Sequence, residues 1–96
     1  MTKMGEEDSI LKRAKEAIEK NKYEEALAIL DKIASENNGD AIFLKGEIYF
    51  KLQQWGDALN QFSHYLDQYP SDTKAESYCI LIQRILGFYH KDLYNP

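Results

Sequence analysis

The thiol of Cys79 and the imidazoles of His64 and His90 are the sequence's cysteine and histidine groups, the types most often used as a nucleophile, a base or a zinc ligand. A thiolate beside an imidazole can attack a carbonyl carbon, and cysteine and histidine together bind zinc. The spacing does not fit zinc binding, because one cysteine and two histidines outside an HExxH pattern do not form a zinc site. No glycine-rich phosphate-binding motif occurs either.

We therefore predict that the protein is not an enzyme and uses neither a metal nor a cofactor, and a catalytic Cys–His pair stays open as the alternative. Both histidines are expected at a surface or an interface. Cys79 lies in an apolar helical stretch, so we expect a buried thiol whose pKa is raised and whose reactivity is low.

The elements that position these residues are predicted to be helices, because apolar residues recur at intervals of three and four. Polar breaks separate five helices of antiparallel neighbours, at about residues 8–20, 23–34, 40–52, 55–69 and 73–89. Asp40 is the predicted N-cap of the third helix, and Thr73 with Glu76 matches a capping box in the fifth. The third helix is apolar on nearly every side, which predicts a central position.

Composition and charge exclude several classes of partner. The chain has 96 residues, 44% of them hydrophobic, which suits one folded domain, and its net charge is −4. Because nucleic-acid and anionic-membrane binders usually carry a basic excess, we expect neither partner. The longest uncharged apolar stretch is much shorter than the roughly 20 residues that span a bilayer, and acidic residues near the start are unlike a signal peptide. We therefore expect a cytoplasmic domain with a protein or peptide partner.

Two parts of the chain, residues 14–30 and residues 46–62, match each other when the first is shifted onto the second, so that Ala14 falls on Gly46. The shift places small on small, aromatic on aromatic and apolar on apolar residues, namely Ala14 on Gly46, Tyr23 on Trp55, Ala26 on Ala58, Leu27 on Leu59 and Leu30 on Phe62. A small residue lets two helices approach closely, and an aromatic residue at the start of the second helix packs against the first. The offset therefore predicts two helical hairpins of one design.

The repeated unit resembles the tetratricopeptide repeat, a helix-turn-helix unit of about 34 residues. Residues 39–72 match a complete repeat, whose departures are Lys45, where leucine is usual, and Tyr65, where a small residue is usual. Residues 7–38 resemble a shorter first repeat, residues 73–96 a capping half-repeat with a tail, and residues 1–6 are predicted to be a flexible N-terminus. The resemblance assigns helix packing to Ala14, Tyr23, Ala26, Gly46, Tyr49, Trp55, Ala58, Phe62 and Pro70.

The resemblance implies an all-α fold, a short right-handed α-solenoid of five helices in which the first helices of successive repeats line a concave groove. Phe43 and Phe50 are seven residues apart and share one helix face, and repeat packing does not require them. The expected peptide groove therefore consists of Leu11, Lys15, Ile18, Phe43, Glu47 and Phe50. The alternative is that the fifth helix or the tail covers Phe43 and Phe50 within the same chain.

Two functions follow from the repeat. The first is a non-catalytic scaffold that binds a peptide or helix in the groove. The alternative is a structural, homodimeric domain whose groove is filled by its own C-terminal helix and tail, because stacked repeats usually need about three units for stability. The carboxylate clamp of chaperone-binding members is mostly missing, since its positions hold Leu11, Lys15 and Leu44 in the first two units. We therefore do not expect binding of chaperone tails.

Overall fold

The computed structural model of the chain describes residues 3–33 and 38–89. All regular structure in these two ranges is helical, which confirms the predicted all-α class. The five helices are α1 (Lys3–Glu19), α2 (Tyr23–Leu30), α3 (Gly39–Lys51), α4 (Trp55–Gln68) and α5 (Thr73–Tyr89).

Helices that follow one another in sequence pack against each other, and α1 also contacts α3. Because the turns between them are short, neighbouring helices are antiparallel. The stack is elongated, with extents of 54 × 28 × 19 Å. The helices thus form a tetratricopeptide-like stack, whereas its right-handed solenoid twist and the division into residues 1–6, 7–38, 39–72 and 73–96 stay predictions.

The turns inside the two helical hairpins have the same conformation. Asn21 and Gln53, which correspond to each other at the offset of the sequence repeat, both adopt a left-handed backbone, with φ of 62° and 61°. In each turn the next amide, that of Lys22 or Gln54, donates a 2.9 Å hydrogen bond to the carbonyl five residues earlier. This pattern closes the C-terminus of the preceding helix. The repeat offset seen in the sequence is therefore a backbone repeat as well.

Two hydrophobic core clusters lie on opposite sides of α3. The first joins α3 to α1 and α2, and its buried members are Leu11, Ala14, Ala17, Ala26, Ile29, Leu30, Ala41, Leu44 and Ile48. The second joins α3 to α4 and α5 around buried Ala58, Phe62, Ala75 and Ile82, with Phe43, Tyr49 and Phe50 of α3 packed against them. The predicted central position of the third helix is therefore confirmed.

Two helix ends differ from the sequence expectation. Helix α1 begins at Lys3 instead of near residue 8, so it includes residues that we expected to precede it. Helix α2 ends at Leu30, and Asp31 and Lys32 form a turn where the apolar pattern predicted further helix. Residues 34–37 and the tail, residues 90–96, lie outside the described residues, and so does the prediction that the tail covers the groove.

Two predicted N-caps are wrong by one or two residues. In α3 the cap is Asn38, whose Oδ1 accepts a 3.0 Å hydrogen bond from the amide three residues later, while Asp40 lies within the first turn. In α5 the cap is Asp72, whose Oδ1 accepts a 2.8 Å hydrogen bond from the amide three residues later, and Thr73 is the first helical residue. In both helices an earlier polar side chain reaches the free amide of the first turn.

Candidate functional site

The small residues assigned to repeat packing are all buried. Ala14, Ala26 and Ala58 have no exposed surface. A Cβ built on Gly46 would lie 2.8–3.0 Å from three ring atoms of Phe62, which is itself fully buried. Real Cβ atoms do not approach other atoms so closely, so residue 46 must lack a side chain for α3 and α4 to pack at this distance.

The aromatic packing positions are covered to different degrees. Tyr23 is partly buried against the first core, and Tyr49 and Trp55 are partly buried against the second. Phe62 lies inside the second core, whereas Pro70 is exposed in the turn after α4. The residues that the resemblance assigned to packing thus lie in or against the two cores, except Pro70, which follows the end of α4.

A cluster of aromatic rings joins α3, α4 and α5, and it includes Phe43 and Phe50 of the expected groove. Tyr78 of α5 stacks on Phe62 of α4, with ring centroids 4.4 Å apart and planes 7° from parallel. Its ring also makes edge contacts with Phe43 and Phe50 of α3, at centroid distances of 6.0 Å and 5.1 Å. The fifth helix therefore covers part of both phenylalanine rings.

The hydroxyl group of Tyr78 is hydrogen-bonded to Glu47. The Tyr78 hydroxyl donates a 3.0 Å hydrogen bond to Oε2 of Glu47, and Nζ of Lys74 lies 3.6 Å from the same oxygen. The lysine ammonium also lies 5.3 Å from the centroid of the Phe43 ring. Burial, and then the charge and hydrogen bond of Glu47, raise the pKa of Tyr78 to about 12. The hydroxyl therefore stays protonated over the physiological pH range.

A pocket of about 310 Å³ opens beside this group. Phe43 and Leu44 contribute apolar surface, and lysine and carboxylate side chains surround it. Its lining residues come from α1, α3, α4, α5 and the cap of α5, and they are Lys15, Asp40, Phe43, Leu44, Glu47, Tyr65, Asp72 and Lys74. Side chains of α1, α3 and α5, which the predicted division makes the first helices of three successive units, therefore meet at this pocket.

A comparison with protein families matches the description "Tetratricopeptide repeat" over residues 17–77, more than half of the chain. The chain belongs to the tetratricopeptide repeat family. No curated protein and no solved structure matches it significantly.

The six residues expected in the tetratricopeptide groove fall into two groups. Lys15, Phe43 and Glu47 line the pocket together. Leu11 is instead buried in the first core, and Ile18 packs against the same core. Each of these two side chains lies on the side of α1 that faces α2 and α3, which the repeat pattern alone did not distinguish from the groove side.

Phe50 also lies apart from the pocket. Its ring contacts Trp55 at 5.2 Å and Tyr78 at 5.1 Å, so it belongs to the aromatic cluster between α3, α4 and α5. The pocket instead includes Tyr65, which was not among the expected groove residues and whose ring lies 5.1 Å from Phe43. The sequence did contain a signal for Tyr65, because a tetratricopeptide repeat usually has a small residue there.

The candidate catalytic side chains do not converge with the pocket. Burial raises the pKa of the Cys79 thiol, a hydrogen bond with Ser63 lowers it, and a nearby Glu76 raises it. The side chain is only partly buried, whereas the sequence led us to expect a buried thiol. His64 is exposed on α4, and His90 lies outside the described residues. Among residues 3–33 and 38–89, no group of histidine, cysteine and acidic side chains could hold a metal ion. No helix within these ranges is long and apolar enough to cross a membrane.

Proposed function

We propose that the chain is a non-catalytic interaction module that binds a peptide segment of a protein partner in the pocket between α1, α3 and α5. Tetratricopeptide repeats are typically protein–protein interaction modules, and the family supplies the general role. The observation that carries the specific proposal is the pocket itself, because its lining combines side chains of α1, α3 and α5.

The chemistry of the lining favours a peptide with one or two apolar side chains between polar groups. A volume of about 310 Å³ is at the small end for ligand sites, so it accommodates an anchor and not a long apolar segment. Phe43 and Leu44 provide the apolar contact, and aromatic side chains concentrate binding energy at interfaces. Lys15 offers a cation to an acidic group of the peptide, whereas Lys74 is already paired with Glu47.

Selection from a random peptide display library, followed by NMR titration of the chosen peptides, tests this proposal. The expected result is that selected peptides shift the amide signals of Lys15, Phe43–Glu47 and Lys74. Lys15→Glu should weaken binding, whereas Lys20→Glu, an equal charge change outside the pocket, should leave it unchanged. Peptides that shift other surfaces only, or a library that yields no binder, would contradict the proposal.

A second candidate function is a structural domain whose groove is filled by its own fifth helix. The observation that favours it is the position of Tyr78, which covers part of Phe43 and Phe50. In this case α5 completes the core and leaves the pocket without a ligand. The same NMR titration distinguishes the two functions, because a purely structural domain shows no saturable shifts at the pocket with any selected peptide.

A further inference from the structure

The side of α5 that points away from the rest of the molecule carries exposed apolar side chains. Ile82, on the inner side, is fully buried, whereas Ile80 and Leu81 are each 45% exposed. We call this surface the outer face of α5, and its residues are Glu76, Ile80, Leu81 and Arg84.

Ile80 occupies a position where the preceding repeat has a contact between helices. The spacing of one complete repeat relates Ile80 to Gly46. The same spacing relates Ile82 to Ile48, and Ile82 and Ile48 have no exposed surface. Gly46 lies against Phe62 of the helix that follows it. Within the described residues no helix follows α5, so Ile80 has no such counterpart.

The charges on the two sides of Ile80 are opposite and equally distant from it. Glu76 is four residues before Ile80 and Arg84 is four residues after it, and both are exposed. Neither forms a salt bridge with another residue of the described ranges. Residues four apart form a row along a helix, and the packing of such rows gives the commonest crossing angle between helices.

We propose that the outer face of α5 binds the same face of a second copy of this chain, with the two helices antiparallel and Ile80 near the two-fold axis. In this arrangement the Glu76 carboxylate of each chain lies beside the Arg84 guanidinium of the other. A surface that pairs with itself in this way suits a symmetric dimer, in which one patch serves both chains. The pairing uses none of the residues that line the peptide pocket, so its test is independent of the peptide proposal.

Sedimentation equilibrium of the full chain, over a dilution series that starts at micromolar concentration, tests this pairing. The expected result is a mass of two chains for the parent protein. Glu76→Arg or Arg84→Glu alone places like charges together and should raise the dimer dissociation constant by about tenfold or more. The double variant, Glu76→Arg with Arg84→Glu, restores opposite charges and should return the constant to near its parent value.

Two controls separate pairing from other effects of charge. Lys12→Glu makes the same charge change as Arg84→Glu, on an exposed residue of α1, and should leave the mass unchanged. Circular dichroism should show parent-like helix content in every variant, because the substituted side chains are exposed. A parent protein that is monomeric throughout would overturn the proposal, as would a dimer insensitive to the single variants or not restored by the double variant.

Discussion

Phe62 of α4 occupies the space that a side chain at residue 46 of α3 would need. Because the phenylalanine is fully buried, it cannot move aside without opening a gap in the second core. We expect Gly46→Ala to lower the free energy of unfolding by about 1–3 kcal/mol, measured by urea denaturation. Gly56→Ala is the matched control, since a Cβ there would meet no atom within 4 Å, and it should leave stability unchanged or slightly higher.

The left-handed backbone at Gln53 predicts a stabilising substitution. A residue with a Cβ loses roughly 1–2 kcal/mol in this conformation, whereas glycine adopts it freely at a smaller entropic cost. Gln53→Gly should therefore raise the free energy of unfolding, by up to about 1 kcal/mol. At Gln61, inside α4, the same substitution should lower it, because glycine is unfavourable within a helix. Equal effects at the two positions in thermal unfolding would contradict the turn geometry.

The corrected cap of α5 can be tested with two neighbouring residues. Asp72 accepts a hydrogen bond from the amide of Ala75, so Asp72→Ala should cost about 0.5–2 kcal/mol of stability. Thr73→Ala should cost much less, because Thr73 follows the cap. If chemical denaturation shows the larger loss for Thr73→Ala, the capping box predicted from the sequence is right and the observed cap is wrong.

The burial of Tyr78 and its contact with Glu47 predict a loss of stability at alkaline pH. Tyr78 has a pKa of about 12 in the folded chain, against an ordinary value of 10.0. An unfolded chain releases this proton near pH 10 while the folded chain retains it, so this contribution is complete below pH 10 and declines as the pH rises to about 12. NMR titration of the labelled Tyr78 ring should show ionisation well above pH 10.

Glu47→Gln separates the causes of that shift. The substitution removes the carboxylate charge but keeps an oxygen that accepts the hydrogen bond, so the pKa of Tyr78 should fall and yet stay above 10.0, because burial still acts on the ring. Glu25→Gln, on the exposed side of α2, is the control and should have no effect on this pKa. A Tyr78 pKa that is the same in both variants would mean that Glu47 does not contact the hydroxyl.

The sequence predicted the helices and their pairing because both depend on local patterns. The offset between Tyr23 and Trp55 predicts two hairpins with equal turns. The apolar residues on all sides of α3 predict its central position. The ends of helices were harder to predict, because several polar residues near each end could serve as the cap. Asn38 and Asp72 are the caps because their side chains lie within hydrogen-bonding distance of a free amide. Residue type alone does not reveal that distance.

The pocket could be predicted only in part. Spacing places Phe43 and Glu47 on one side of α3, and the family resemblance adds Lys15. The sequence could not reveal that Tyr78 would cover Phe50, because that contact depends on the rotation of α5 relative to α4. Leu11 was misplaced for a related reason: on α1 an apolar residue beside the groove and one in the core have the same periodicity.

Helix α3 is the element that the two core clusters share, and this has a consequence for how the chain opens. The pair α1 and α2 can detach while the second cluster stays packed, and α5 can detach while the first stays packed, whereas loss of α3 removes both. Amide hydrogens of α3 should therefore exchange with solvent only when the whole domain unfolds, and those of α1 and α5 should exchange much earlier. Protection against deuterium would then decrease from the middle of the chain towards both ends.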